Sequence, residues 1–554
     1  MKKIIYSVLT LLALGSTTVF AQKLTTIKGK IYDQNTPLVG AIVRIEGTNI
    51  NTVTNDDGTY EIKTAPGSYT LAASYLGYDQ KWAKIILEEN QDGKQDFQLS
   101  QKELGEVVVL GSRGGGRSRL ETPVPVDVID AQTLKDVPQV SLTQILNYVV
   151  PSFNSNTQVI SDGTDHIDPA TLRGLGPDQV LVLINGKRRH TTSLININGT
   201  VGKGSVGTDL NAIPTSAIKR IEVLRDGAAA QYGSDAIAGV INIILEDSTD
   251  KLKFSTSAGG YWSKNSEDDF DGERVDVDLN YGIKLGDKGG FLNFSGVYSD
   301  RKPTNRQKEF TGTIFNDYNR PDLYPNPTGK DITDEELARR GETRADYVSR
   351  IGQSKTRGGA AFFNGVLPLK NETEIYAFGG LNYREGESAA FRRQPAQITQ
   401  NISEIYPDGF LPLIATNNYD KSLSAGIRGV VSGWHVDLSN TYGNNTIDFN
   451  TENSLNASLG KSSPTSFDAG GYGFTQNTTN LDIDRNFADV LSGVNLAFGV
   501  EHRYENYIIR EGEESSYRDY GKANKVGTDV NGNPIYVSDI NGSVQTLFAE
   551  NGSA

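Results

Sequence analysis

Val275-Asp276-Val277-Asp278-Leu279-Asn280-Tyr281-Gly282-Ile283-Lys284-Leu285 alternates apolar and polar residues without a break. An extended strand turns successive side chains to opposite faces, so one face here is apolar and the other carries carboxylates, an amide and an amine. Trp434, Val436, Leu438 and Tyr442 alternate in the same way with His435, Asp437, Ser439 and Thr441. Val494, Leu496, Phe498 and Val500 do so with Asn495, Ala497, Gly499 and Glu501. A soluble sandwich has this period too, so alternation identifies strands without deciding the architecture.

Connection lengths decide it. Strands are expected near 252–262, 274–286, 290–301, 356–368, 373–387, 421–431, 434–448, 478–490 and 494–511. A moderate connection, Ser263–Glu273, is followed by a tight one at Asp287–Gly289. Long (Lys302–Lys355, Ser388–Asp420, Asn450–Asn477) and tight (Leu369–Glu372, Ser432-Gly433, Leu491–Gly493) connections then take turns. Short turns at one rim and long loops at the other are the pattern of an antiparallel transmembrane β-barrel. Such barrels have an even strand number and no open edge in lipid, so residues 247–554 are expected to be the N-terminal portion of an incomplete barrel.

Residues 120–246 have a mixed α/β character. Ser141-Leu142-Thr143-Gln144 has the form of a capping box, and Leu142, Ile145, Leu146 and Val149 fall on one helical face before Pro151. Val180–Ile184 is a continuous apolar strand closed by Asn185-Gly186, a favoured two-residue turn. Ile218–Leu224 and Val240–Leu245 are two more strands, and the small residues from Arg225 to Gly233 suit close packing against a wall. Gly174, Gly176 and Gly186 lack the order of a phosphate loop. Asp162, Asp165, His166 and Asp168 lack the spacing of an EF-hand, and no metal is expected there. Lys187-Arg188-Arg189-His190 is read as a solvated hairpin end, with an anionic ligand as its other reading.

Thr171-Leu172-Arg173-Gly174, Leu183-Ile184-Asn185-Gly186, Ile218 to Gly227, Ala228 to Gly233 and Ala236 to Ile244 resemble, in order, the plug domain of TonB-dependent outer-membrane receptors. The resemblance implies a plug that fills a barrel. It assigns Arg173, Gly174, Asn185, Gly186, Arg225, Gly227, Tyr232, Gly233, Gly239 and Asn242 to plug structure and coupling.

Before the plug, residues 22–100 alternate seven short strand-like runs with turns such as Asn55-Asp56-Asp57-Gly58 and Pro66-Gly67, the pattern of a small β-sandwich. Ala41, Val43 and Ile45 are expected to face inward and Ile42 and Arg44 outward. Gly29-Lys30-Ile31, Pro37 to Ala41 and Thr54 to Tyr60 resemble the carboxypeptidase-regulatory-like domain. Asp56 and Asp57 are read as a solvated hairpin tip. In 101–119, Glu106-Val107-Val108-Val109-Leu110 is a β-prone peptide before a glycine/arginine linker, suited to strand addition on a partner or to burial in a neighbouring sheet. The plug resemblance implies that it is the TonB box. Lys2 and Lys3, an apolar Ile4–Leu14 and Val19-Phe20-Ala21 make residues 1–21 a signal peptide.

Composition agrees with this mainly β reading. The 554 residues include 59 glycines, 25 tyrosines and 20 phenylalanines, yet mean hydropathy is −0.41. A barrel turns only every second residue to lipid, so its spans average to polar. Zero cysteines exclude disulfides, a thiol nucleophile and thiolate metal sites, and a net charge of −14 gives no footprint for nucleic acid. No catalytic set and no cofactor site can be assembled. The expected function is import of a siderophore, cobalamin, glycan or peptide across the outer membrane of a Gram-negative bacterium. The implied partners are the inner-membrane TonB complex, outer-membrane lipid, the ligand and, for a glycan importer, a surface lipoprotein. A passive porin and a receptor or signal transducer that binds without transport are the alternatives.

Overall fold

The computed structural model describes residues 24–520 apart from 34–35, 49, 76–77, 79, 89–90, 100–106, 109–116, 119–125, 138, 140, 156, 160–162, 198–199, 226–231, 265–269, 488–489 and 491–493. For 107–108, 117–118, 524–528 and 534–537 it describes the strands alone. The expected signal peptide lies outside these residues. The chain divides into two compact units, Met1–Val107 with Ser118–Leu120, and Val108–Arg117 with Glu121–Ala554.

In the first unit, β1 (Thr25–Asp33) pairs with β2 (Thr36–Pro37), β5 (Thr59–Thr64), β8 (Gly93–Lys94) and β9 (Phe97–Gln98). A second sheet has the order β4 (Asn51–Val53), β3 (Ile42–Ile45), β6 (Gly67–Ser74), β7 (Lys81–Leu87). Ile27, Ile31, Ala41, Val43, Ile45, Leu71 and Leu99 are wholly buried between them, whereas Ile42 is 46% exposed. Asp57 accepts from the Thr59 hydroxyl at 2.8 Å, so it braces its own turn, where Gly58 has φ +76°. The two strands that the sequence hid, β2 and β8, are two residues long, too short to show a period.

The second unit begins with a five-stranded sheet of order β12 (Val126–Asp130), β17 (Ile218–Leu224), β18 (Gly239–Leu245), β15 (Val180–Ile184), β16 (Lys187–Arg188). Only β15 and β18 run parallel. The helix Leu142–Val149 buries Leu142, Ile145 and Leu146 against one face of it. Its capping box does not form. Asn211 Oδ1 accepts from Thr143 N at 3.2 Å, and Gln144 reaches away to Ser155 O at 3.2 Å, so a long-range amide replaces the local one. A short helix that the sequence did not announce, Ala131–Asp136, is capped by Asp130 Oδ1 accepting from Thr133 N at 2.7 Å.

The rest is one nine-stranded antiparallel sheet in sequential order: β19 (Leu252–Trp262), β20 (Phe270–Leu285), β21 (Gly290–Arg301), β22 (Lys355–Pro368), β23 (Glu374–Ala389), β24 (Leu413–Val431), β25 (Trp434–Glu452), β26 (Phe467–Phe487) and β27 (Val494–Arg510). It is barrel wall, and among the described residues it is not closed, since β19 and β27 do not pair. Ala360, Phe362, Tyr376 and Phe378 of its concave face belong to the same core as the helix and sheet just described. Among the described residues no helix is long and apolar enough to cross a membrane.

On the convex face Leu279, Phe294, Leu381, Leu423, Ile427 and Leu438 are exposed. Tyr298, Tyr383 and Tyr419 stand at one level of the register, with the last two rings 4.8 Å apart. Trp434 marks the other level, 5.6 Å from Phe498. Tyr419 to Val431, the partner of Trp434, covers about 30 Å at ~3.3 Å per residue and a tilt of ~40°.

Beyond the tyrosine level the two faces exchange character. Asn444, Thr446, Asp448 and Asn450 point outward, while Ile447 and Phe449 are buried inside with Ile414, Tyr472, Ile167 and Leu194. Here the expected boundaries fail: β24 begins at Leu413 rather than 421, and β26 at Phe467 rather than 478.

Candidate functional site at the contact between inner sheet and wall

The turn Asn185-Gly186 joins β15 to β16 with φ of +48° and +80°, the left-handed pair that a two-residue hairpin requires. Asn185 Oδ1 accepts from Leu245 N at 2.9 Å, and its Nδ2 donates to Asn364 Oδ1 of the wall at 3.2 Å. Asn242 Oδ1 accepts from Gly186 N at 3.0 Å, and Asn242 Nδ2 donates to Glu222 Oε2 at 3.2 Å. Arg220 Nε donates to the other oxygen of Glu222 at 3.0 Å. Glu222 and Asn242 are wholly buried, so each polar group in this chain answers another.

Arg173, with φ +57°, donates from Nη1 to Arg225 O at 2.8 Å, and Arg225 Nη2 donates to Asp127 at 2.8 Å. Gly174 continues the turn at φ +75°. Gly239 lies hard against Leu224 O and the Leu172 side chain, leaving no room for a Cβ. Tyr232 packs on the opposite sheet face with Leu181, Leu183 and Leu224, next to Gly233 at φ +88°. The named residues therefore form three groups: Arg173, Gly174, Arg225 and Gly239; Asn185, Gly186 and Asn242; Tyr232 and Gly233. Gly227, Glu106, Val109 and Leu110 lie outside the described residues. Val107–Val108 form a short strand, β10, paired with Arg117–Ser118, β11.

The basic run after the turn is not a solvated hairpin end. Lys187 Nζ is 3.2 Å from Asp437 and 3.3 Å from Asp482, both on the wall. Arg188 pairs with Asp235 at 2.5 Å. Arg189 pairs with Asp420 of β24, and His190 Nε2 donates to the same carboxylate at 2.9 Å. Asn445 of β25 donates to Asp420 at 3.2 Å and accepts from Ser193 N at 2.7 Å and Thr192 Oγ1 at 3.1 Å. Arg189, His190, Thr192, Ser193, Asp420 and Asn445 are all at least nine-tenths buried. Burial, and then the Arg189 charge beside it, holds the His190 imidazolium form down. The reason for the correction is the wall itself: its acids are more than 200 residues away in sequence, beyond any local pattern.

A second contact lies nearer the long loops. His166 Nδ1 and Thr416 Oγ1 are 2.7 Å apart, and Ser354 donates to Asp165. The His166 and His190 rings lie over Gly386 of β23 and Gly443 of β25, where any Cβ would enter the ring's own volume. Asp209 pairs with Arg384 of β23. Burial lowers the His166 pKa and raises that of Asp209, and it pushes the Asp168 carboxyl up to about 6. Asp165, His166 and Asp168 thus face the wall, and Asp162 lies outside the described residues.

This arrangement is a domain seated in a barrel wall by paired buried charges, and the sequence comparison gives the domain its family. Residues 118–240 match the TonB-dependent Receptor Plug Domain. Over those residues the chain is similar to a TonB-dependent receptor plug domain. Residues 27–109 match the CarboxypepD_reg-like domain, which is the sandwich of the first unit. The chain is 32% identical over 167 residues to the ferric enterobactin receptor PirA of Pseudomonas aeruginosa, covering 30% of this chain and 22% of that one. It is 30% identical over 149 residues to the vitamin B12 transporter BtuB of Photobacterium profundum, covering 26% and 22%. The solved siderophore receptor PirA of Acinetobacter baumannii is 17% identical, with a TM-score of 0.47 over 72% of this chain and 50% of that one. The matches thus span about a fifth of the curated relatives and half of the solved receptor. Sequence reading found the plug motifs but missed their seats: Asp420, Asn445, Arg384, Gly386 and Gly443 show no local signal.

Proposed function

We propose that the chain is part of an outer-membrane receptor that imports a specific ligand by TonB-driven rearrangement of its plug. The observation that carries this reading is the buried latch of Arg189 and His190 on Asp420. A plug fastened to the wall by buried polar contacts blocks the lumen, and solute passes only when work displaces it. In this reading residues 1–21 are a signal peptide, 22–100 the sandwich, 101–119 the box and linker, 120–246 the plug and 247–554 barrel, with the apolar belt in lipid. Glu106 to Leu110 adds a strand to TonB, and the plug-motif residues Arg173, Gly174, Asn185, Gly186, Arg225, Gly227, Tyr232, Gly233, Gly239 and Asn242 transmit the pull. The ligand is of the class siderophore, cobalamin, glycan or peptide, and a surface lipoprotein joins when it is a glycan.

Deleting 106–110 tests the proposal. Uptake of the ligand by cells should fall to background while surface binding is retained. Uptake that survives the deletion points to a passive pore, and binding without uptake in the undeleted receptor points to a non-transporting one.

A further inference from the structure

A polar chamber of about 110 Å³ lies between the plug and strands β20 to β23, beside the His166 contact. It opens into a larger space of about 1120 Å³ that shares Asp168, Arg274, Asp278 and Arg301 with it. The fixed charges on its walls nearly cancel. Arg274 holds Asp276 in two hydrogen bonds of 2.7 and 2.8 Å, and Arg384 is spent on Asp209.

Three groups keep unused hydrogen-bonding capacity. Asp168 is 7% exposed, sits in left-handed backbone at φ +58°, and its Oδ1 has no hydrogen-bond partner. Arg301 donates from Nε to Ser354 O at 3.2 Å, and its charge is answered chiefly by Asp168 across the chamber rather than by a close ion pair. Asp278 Oδ1 is a second buried acceptor without a close partner, the Ser216 side chain being the hydrogen-bonding group that answers that carboxylate. A buried carboxylate oxygen left unmatched is costly, so a chamber that keeps two of them beside an under-used guanidinium is built for something else to fill.

What fits is set by valence and charge. The acceptors Asp168 and Asp278 call for donors, and the Arg301 guanidinium calls for an acceptor. A hydroxyl supplies both at once. A net anion would meet the carboxylates of Asp168, Asp276 and Asp278 and a net cation the guanidinium groups of Arg274, Arg301 and Arg384, so neither gains from a wall whose charges balance. We propose that this chamber is a subsite for a neutral, polyhydroxylated small molecule, held between Asp168 of the plug and Arg301 of the wall. This rests on the import reading, since it places a solute contact at the boundary that plug movement opens.

The test is saturation-transfer NMR on the full chain in detergent. D-glucose and sorbitol serve as neutral hydroxyl probes, citrate as the anion and putrescine as the cation. At least one neutral probe should bind, with affinity reduced fivefold or more in Asp168→Asn and in Arg301→Gln, and in Asp278→Asn as a third variant. Circular dichroism and heat-shifted gel migration verify that each variant is folded. Absence of binding by both neutral probes overturns the proposal, as does binding that none of the variants changes. Citrate binding lost in Arg301→Gln overturns it in favour of an anion, and putrescine binding lost in Asp168→Asn in favour of a cation. Cells in which deletion of 106–110 leaves uptake intact would refute the import reading alone, because the chamber measurement involves no transport.

Discussion

His190 of the plug lies over Gly443 of the wall, with the imidazole occupying the volume that a side chain at 443 would need. Gly386 receives His166 in the same way, so the plug is seated through two sockets of bare backbone. Gly443→Ala should therefore lower stability by about 1–3 kcal/mol, the usual cost of overpacking a filled site. Gly259→Ala, where nothing stands within 4 Å, is the neutral control. Midpoints of heat-shifted gel migration compare the two.

Asp420 answers three plug and wall donors from Arg189, His190 and Asn445. Asp420→Ala strands a buried guanidinium, and the expected loss is about 3–5 kcal/mol. The paired change Arg189→Met with Asp420→Leu should recover most of it, because no charge is then left alone. Protease sensitivity of the plug in urea reads both.

Stability should depend on pH in two opposed ways. Burial lowers the folded-state pKa of His166 and His190, so the unfolded chain binds more protons below about 6.5 and stability is lost as pH falls through that value. Asp168 works in the other sense. Its carboxyl is pushed up to about 6, so the folded state holds a proton that the unfolded state has released. That contribution is fully present below the unfolded pKa of about 3.9 and is lost as pH rises to 6. Asp168→Asn should accordingly stabilise the protein at pH 7.5 by about 2–3 kcal/mol, helped by the tolerance of asparagine for left-handed backbone. Thermal midpoints at pH 5 and 7.5 separate the two senses.

In the long loop after β21, Glu336 is 2% exposed and takes hydrogen bonds from Arg320, Arg339 and Arg340 at 2.7 to 2.9 Å. Those partners, led by Arg339, hold its carboxyl at about 2. Its contribution to stability is present above the unfolded pKa near 4.3 and is lost as pH falls towards 2. Glu336→Gln should loosen the loop, and trypsin should then cut after Arg339 and Arg340 in the otherwise intact protein. An unchanged digestion pattern would refute this role.

Where one face of a strand meets a uniform medium, its ends are legible. β19 and β21 fall where alternation puts them, and tight turns such as Ser432-Gly433 carry the positive φ that their residues suggest. Alternation loses its meaning where both faces change. From Phe467 to Thr475 the wall is polar or glycine outside and packed inside, and from Leu413 to Tyr419 the inward set mixes buried Ile414 with Thr416 and Asn418, so a reading that looks for apolar outside and polar inside sees only loop. Gly174, Asn185, Gly186 and Gly233 sit in local turns, and Gly239 and Asn242 lie against neighbouring strands, contacts that a local pattern can carry. Asp420 and Asn445 were not legible, because their partners arrive from another domain of the fold.

The exchange of faces above Tyr419 has a mechanical meaning. Below it, the outward face of the wall is apolar, with Leu423, Ile427 and Leu438 exposed. Above it, Ile414, Ile447, Phe449 and Tyr472 are buried in one cluster with Ile167 and Leu194 of the plug. The upper wall is thus cast on the plug as on a mandrel, and the core of the rim is half made of the mandrel itself.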